Sequence, residues 1–111
     1  MSARSPGKAR LVLTTMGDRA SAERLARSLV EERLAACVNL LPGVRSVYRW
    51  EGAVLEADEV LLVIKTTGAA HAALTERVRA LHPYDLPELV ALDPADVDPA
   101  YLRWIGESVT G

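Results

Sequence analysis

The 111-residue chain predicts an α+β fold: one antiparallel sheet, two helices on one of its faces, and an extra helix at the C-terminus. Three observations carry this expectation. Two segments space their apolar residues at i, i+3, i+4 and i+7, the helical period. Between them lie two long strand-like runs that meet at Glu51-Gly52. A short apolar run precedes the first helix and another follows the second, so the order reads β-α-β-β-α-β-α.

Leu11–Met16 is the first strand, apolar and partly β-branched, and Gly17-Asp18-Arg19 ends it. A helix follows from Ser21 to Leu34. Ala22, Leu25, Ala26, Leu29, Val30 and Leu34 form its apolar side. Asp18 or Ser21 suits its N-cap, and Glu23 with Arg27 suits an i, i+4 pair. Ala36–Leu41 and Val44–Trp50 read as one strand interrupted at Pro42-Gly43. Proline donates nothing to a ladder, so a bulge or a sheet edge is expected there. Val44, Ser46, Tyr48 and Trp50 alternate onto one face, and Arg45, Val47 and Arg49 onto the other. After the turn at Glu51-Gly52 the chain returns as Ala53–Thr66. Its stretch Val60–Ile64 is apolar on both faces, as in a strand covered on both sides.

The second helix spans Ala69 to Leu81, with Ala70, Leu74, Val78 and Leu81 on one side. His82-Pro83-Tyr84-Asp85-Leu86-Pro87 is a rigid, non-helical connection bracketed by its prolines. Glu88–Leu92 is a fourth strand. Asp98-Pro99 then reads as an N-cap followed by proline at the first helical position of a helix reaching Ile105. This order is that of the split βαβ, ferredoxin-like sandwich. The two runs meeting at Glu51-Gly52 reach roughly 43 Å at about 3.3 Å per residue, more than a compact domain of this size spans. Their tip must project, carrying Val47, Tyr48, Trp50, Val54 and Leu55, and a second subunit is expected to cover it.

Composition narrows the function. Half the residues are hydrophobic, but the aromatics are only two Trp and three Tyr. A net charge of −2 lacks the basic excess of a nucleic-acid binder. A single cysteine makes neither an intramolecular disulfide nor a multi-cysteine zinc site. No apolar run approaches a membrane span, and the N-terminus lacks the long apolar centre of an export signal. Residues 1–8 read as a flexible tail and 9–111 as one cytoplasmic domain.

His82 is a metal-ligand or proton-transfer candidate, or a cap on the second helix. His71, on a polar helix side, reads as solvated. Cys37 reads as a small buried hydrophobe unless a cation activates it. Lys65 ends an apolar strand, either reaching solvent or pairing with Glu88 or an anionic ligand. Glu51 and Glu59 read as solvated. Tyr48, Trp50, Tyr84 and Trp104 suit core or subunit-interface packing, with ligand stacking the alternative. No GxGxxG, P-loop, GxSxG or HExxH motif is present, so no enzymatic activity is expected.

Several blocks together resemble a known family. They are Glu32-Arg33-Leu34-Ala35-Ala36-Cys37-Val38-Asn39, Pro42-Gly43, Ser46-Val47-Tyr48-Arg49-Trp50-Glu51-Gly52, Leu62-Val63-Ile64-Lys65-Thr66-Thr67, His82-Pro83-Tyr84-Asp85-Leu86-Pro87-Glu88 and Tyr101-Leu102-Arg103-Trp104. Over Arg10 to Gly106 the chain resembles the CutA, or divalent-cation tolerance, family. The resemblance implies a tight homotrimer of ferredoxin-like subunits, similar in architecture to P-II signalling proteins. It implies a non-catalytic role in copper or divalent-metal tolerance, with Cu(II) or another divalent cation weakly bound. Some bacterial members place a Cys in the first strand and tandem His before Pro-Tyr. Here Thr14 and Leu81 stand at those positions and only His82 remains. The family's shared positions imply a subunit-interface cleft built from Cys37, Tyr48, Trp50, Lys65, His82, Tyr84, Glu88 and Trp104. That cleft would take a metal through His82 and Glu88 or a small anion through Lys65. The alternative it leaves is a metal-independent, P-II-like scaffold or small-molecule sensor.

Overall fold

The structure, a computed structural model, describes residues 7–110. Its elements are β1 (Ala9–Met16), α1 (Arg19–Glu31), β2 (Cys37–Trp50), β3 (Ala53–Thr67), α2 (His71–Leu81), β4 (Val90–Leu92) and α3 (Pro99–Ser108). The strands form a four-stranded sheet in the order β2-β3-β1-β4, every neighbouring pair antiparallel. The α+β architecture is thus the one the residue pattern predicts.

Alternation along the strands divides the sheet into two unlike faces. Val12 and Met16 of β1, with Val60, Leu62 and Ile64 of β3, meet Ala22, Leu25, Ala26 and Leu29 of α1 and Leu74 and Val78 of α2. All of these are buried. Within one protomer the opposite face is not closed in the same way as the helix-covered one, although β3 is central as expected for Val60–Ile64. Leu61 and Val63 are only half-buried, as are Leu11 and Leu13, while Val90 and Leu92 are 45% and 47% exposed. The reason is the short reach of α3. It covers only the end near Ala9, where Ile105 and Val109 pack with Ala36 and Ala70.

Asp18 caps α1, its carboxylate accepting from the Ser21 backbone N–H at 2.8 Å. Glu23 pairs with Arg19, one turn before it, at 3.2 Å, rather than with Arg27. The helix stops at Glu31 instead of Leu34, because Arg33 takes the left-handed conformation with φ 60°. The N–H groups of Arg33 and Leu34 then fold back onto the Val30 and Leu29 carbonyls, a Schellman closure. Glycine is the usual residue here. The Arg33 side chain instead clamps the end of α3, donating to the Glu107 carbonyl at 2.7 Å and to Thr110 Oγ1 at 3.3 Å.

The hairpin is as long as the sequence requires. β2 has 14 residues and β3 has 15. Glu51 and Gly52 turn with φ 50° and 82°, the two left-handed residues of a type I′ turn that matches strand twist. Pairing jumps from Leu41↔Leu61 to Val44↔Glu59, so Pro42 and Gly43 bulge opposite Val60, on an edge strand. The molecule measures 55 × 26 × 22 Å with a radius of gyration of 15.0 Å. A compact chain of this length would have about 13 Å, so the outer half of the hairpin stands out as an arm. Val47 and Val54 on it are 63% and 62% exposed. At the other end, residues 1–6 of the expected tail lie outside the described residues. The Lys8 carbonyl accepts from the Gly68 N–H, and β1 begins at Ala9, two residues before the expected strand.

Candidate functional site

The connection after α2 is held by its own backbone. His82 ends the helix by donating its N–H to the Val78 carbonyl, and its extended backbone leads into Pro83. Residues 84–88 then face the arm along Ser46–Trp50 of β2. Between them lies a cleft of about 790 Å³, whose lining includes Thr15, Tyr48, Trp50, Glu59, Tyr84 and Glu88. Four of the residues singled out from sequence therefore share one cleft: Tyr48, Trp50, Tyr84 and Glu88.

His82 lies behind this wall, only 7% exposed. Its Nδ1 accepts from the Tyr84 backbone N–H at 3.1 Å. That fixes the proton on Nε2, which donates to the Thr15 carbonyl at 2.7 Å. β4 pairs with β1 only at Leu11–Leu13, so the imidazole satisfies a β1 carbonyl just beyond the end of that ladder. The ring also meets Tyr84 edge to face, with centroids 4.7 Å apart. Both ring nitrogens are thus engaged, and a metal ligand needs one free lone pair. Among the described residues no group of three or more His, Cys, Asp or Glu side chains is placed to hold a metal ion.

Tyr84 and Glu59 make the polar floor of the cleft. The Tyr84 hydroxyl donates to Glu59 Oε2 at 2.9 Å. Burial, and then the neighbouring carboxylate, push the Tyr84 phenol up to about 12. The hydroxyl also lies over Gly17, 3.3 Å from where a Cβ would stand. Glu59 is 9% exposed, not solvated as its sequence neighbourhood suggested. A signal for it existed. Glu59 is in phase with Leu61 and Val63, so alternation places it on an apolar face.

The remaining candidates gather elsewhere. Cys37 is half-buried and sits directly across from Lys65 on the neighbouring strand. Lys65 Nζ lies 3.4 Å from the Tyr101 hydroxyl and 5.6 Å from that ring's centre. Tyr101 in turn stacks obliquely on Trp104 at 5.3 Å. Lys65 and Glu88 are not brought together. Lys65 pairs with Leu11, while Glu88 lines the cleft beside Thr15, about 13 Å further along β1. His71 is half-buried, and its Nδ1 is buried with no hydrogen-bond partner among the described residues, so it is not the solvated side chain expected. Among the described residues no helix is long and apolar enough to cross a membrane.

Residues 10–108 match the family model described as CutA1 divalent ion tolerance protein. The divalent-cation tolerance protein CutA of Thermus thermophilus is 52% identical over 98 residues, covering 88% of this chain and 95% of that protein. A chloroplastic CutA of Arabidopsis thaliana is 46% identical over 98 residues, and the chain spans about half of it (88% of this chain, 54% of that protein). The crystal structure of CutA1 from Oryza sativa superposes with a TM-score of 0.92 at 43% identity, over 96% of this chain and 98% of that one. With the sheet order, the long hairpin and these matches in hand, the chain belongs to the CutA1 divalent ion tolerance family.

Proposed function

We propose that this chain is the ferredoxin-like subunit of a cytoplasmic homotrimer that serves divalent-cation tolerance, copper included, without catalysis. The observation that carries this reading is the uncovered side of the protomer. An apolar sheet face and a projecting arm with Val47, Tyr48, Trp50, Val54 and Leu55 exposed are costly in water and suited to neighbouring copies. Copper binding at His82 is weak in this reading. A metal must displace the Tyr84 N–H from Nδ1 before it reaches a lone pair. Calorimetric titration of Cu(II) into the wild type and His82→Ala tests this. A small heat is expected for the wild type and less for the variant; equal heats remove His82 as the ligand.

The cleft supports a second reading, a metal-independent P-II-like sensor that binds a small molecule between subunits. Its aromatic wall of Tyr48, Trp50 and Tyr84 is the lining expected of such a site. A small molecule retained through native purification, identified by mass spectrometry and lost in Trp50→Ala, is the result this reading requires. An anionic ligand held by Lys65 needs that lysine delivered from a neighbouring copy, since within one chain it stands apart from the cleft.

A further inference from the structure

Among the described residues, two charges on the open sheet face have no counter-ion. Glu59 is 9% exposed, and the Tyr84 hydroxyl is the only group hydrogen-bonded to its carboxylate among the described residues. Lys65 is half-buried, and among the described residues its ammonium is met only by Tyr101, through a long hydrogen bond and the ring face. Neither takes part in the ion pairs of this chain, which join Arg10–Asp93, Arg19–Glu23, Arg45–Glu56, Arg45–Asp58 and Arg77–Glu32 among the described residues. A charge held away from water is unfavourable unless an opposite charge and hydrogen bonds meet it.

The two cannot meet within one chain. Both belong to the odd-numbered series of β3 with Leu61 and Val63 and so share a face, but six residues of strand hold them roughly 20 Å apart. The apolar residues between them become water-free when that face is covered, which makes both orphan charges more costly. The cleft around Glu59 also favours a cation. Its lining holds three carboxylates, Glu59, Asp85 and Glu88, against one guanidinium, Arg49. The rings of Tyr48 and Trp50 flank it, surfaces on which a lysine stem and ammonium pack well.

We propose that a second copy of this chain completes the cleft: the partner subunit's Lys65 enters it and pairs with Glu59. This chain's own Lys65 does the same for the next copy. In a closed ring every subunit then uses one carboxylate and one ammonium, and neither Glu59 nor Lys65 is left unmet. The inference rests on the assembly reading above, and adds that the site is incomplete in a single protomer.

Subunit exchange between light- and heavy-nitrogen preparations, followed by native mass spectrometry, tests it. Glu59→Gln keeps an oxygen to accept from Tyr84 but removes the charge; Lys65→Met removes the ammonium and keeps the stem. Each is expected to speed exchange at least about tenfold, and the double variant to exchange no faster than the faster single. Unchanged single variants, or effects that multiply in the double, overturn the pairing while leaving the assembly standing. A wild-type protein that sediments as a monomer instead removes the assembly itself. Carbodiimide coupling of the wild type needs no variant to fold. The chain has only two lysines, and a bond between Glu59 of one isotope and Lys65 of the other is expected. Coupling of Glu59 only to Lys8, or only within one chain, overturns the proposal.

Discussion

Replacing Thr14 by valine should stabilise this protein. Thr14 is fully buried, and among the described residues its Oγ1 has no hydrogen-bond partner. It stands between Val12 and Met16 on the helix-facing side of β1, across from Leu62. In the unfolded chain water satisfies that hydroxyl; in the core nothing does. An unpaired buried hydroxyl costs about 1–3 kcal/mol. Valine has the same shape, puts a methyl in the hydroxyl's place, and is a strand former. The expected gain is about 1–2 kcal/mol per chain, read as a higher guanidinium midpoint at an unchanged m-value. Protein concentration must be held fixed, because association shifts the midpoint by mass action. Thr14→Ser is the counterpart. It keeps the hydroxyl, loses a buried methyl, and should cost about 1 kcal/mol. If valine destabilises while serine is tolerated, the hydroxyl has a partner and the reasoning is wrong.

Three further outcomes are expected. The Tyr84 phenol is raised from 10.0 to about 12, so the unfolded chain releases its proton first, and stability falls as pH rises between those values. Phenolate absorbance compared with Tyr84→Phe checks this; a Tyr84 that titrates with the other tyrosines contradicts it. Arg33→Gly should be more stable than Arg33→Ala by about 1 kcal/mol, since both lose the α3 clamp but only glycine is at ease at φ 60°. Equal melting of the two variants would mean that the left-handed position carries no strain. Glu51→Asn should raise stability by a few tenths of a kcal/mol, because Asn-Gly is the favoured type I′ pair. A lower midpoint for that variant would show that Glu51 makes a contact of its own.

What the sequence revealed, and what it hid, follows from the range of each interaction. The arm, its turn and its bulge were legible because alternation, Glu51-Gly52 and Pro42-Gly43 are local signals. So was the start of α3, where Asp98 accepts from the N–H groups of Ala100 and Tyr101. The end of α1 was not, because Leu34 keeps the helical period after the backbone has already turned at Arg33. β4 is shorter than Glu88–Leu92 because Glu88 serves the cleft rim, and pairing starts only at Val90. In the site, Tyr48, Trp50, Tyr84 and Glu88 were grouped in one cleft by the family resemblance, while no local pattern in their own segments made them neighbours. Their meeting depends on the path of the 82–88 connection. Glu59 was passed over because a carboxylate at a strand entry looks solvated until the phase of the whole strand is followed. Lys65 and Glu88 looked like natural partners, and register alone separates them.

The arm gives this molecule two local stabilities. Pairs Val44↔Glu59 to Trp50↔Ala53 form a ribbon of two strands, and such a ribbon alone is marginal in water. The inner parts of β1 and β3 lie under two helices. Backbone amides of the two regions should therefore exchange with deuterium on separate clocks. Those of β1 and inner β3 report on unfolding of the domain. Those of the arm open locally in a lone protomer and slow only when neighbouring chains lie against them. Deuterium uptake between residues 44 and 58 is thus a gauge of association state, readable in dilute solution without separating the species.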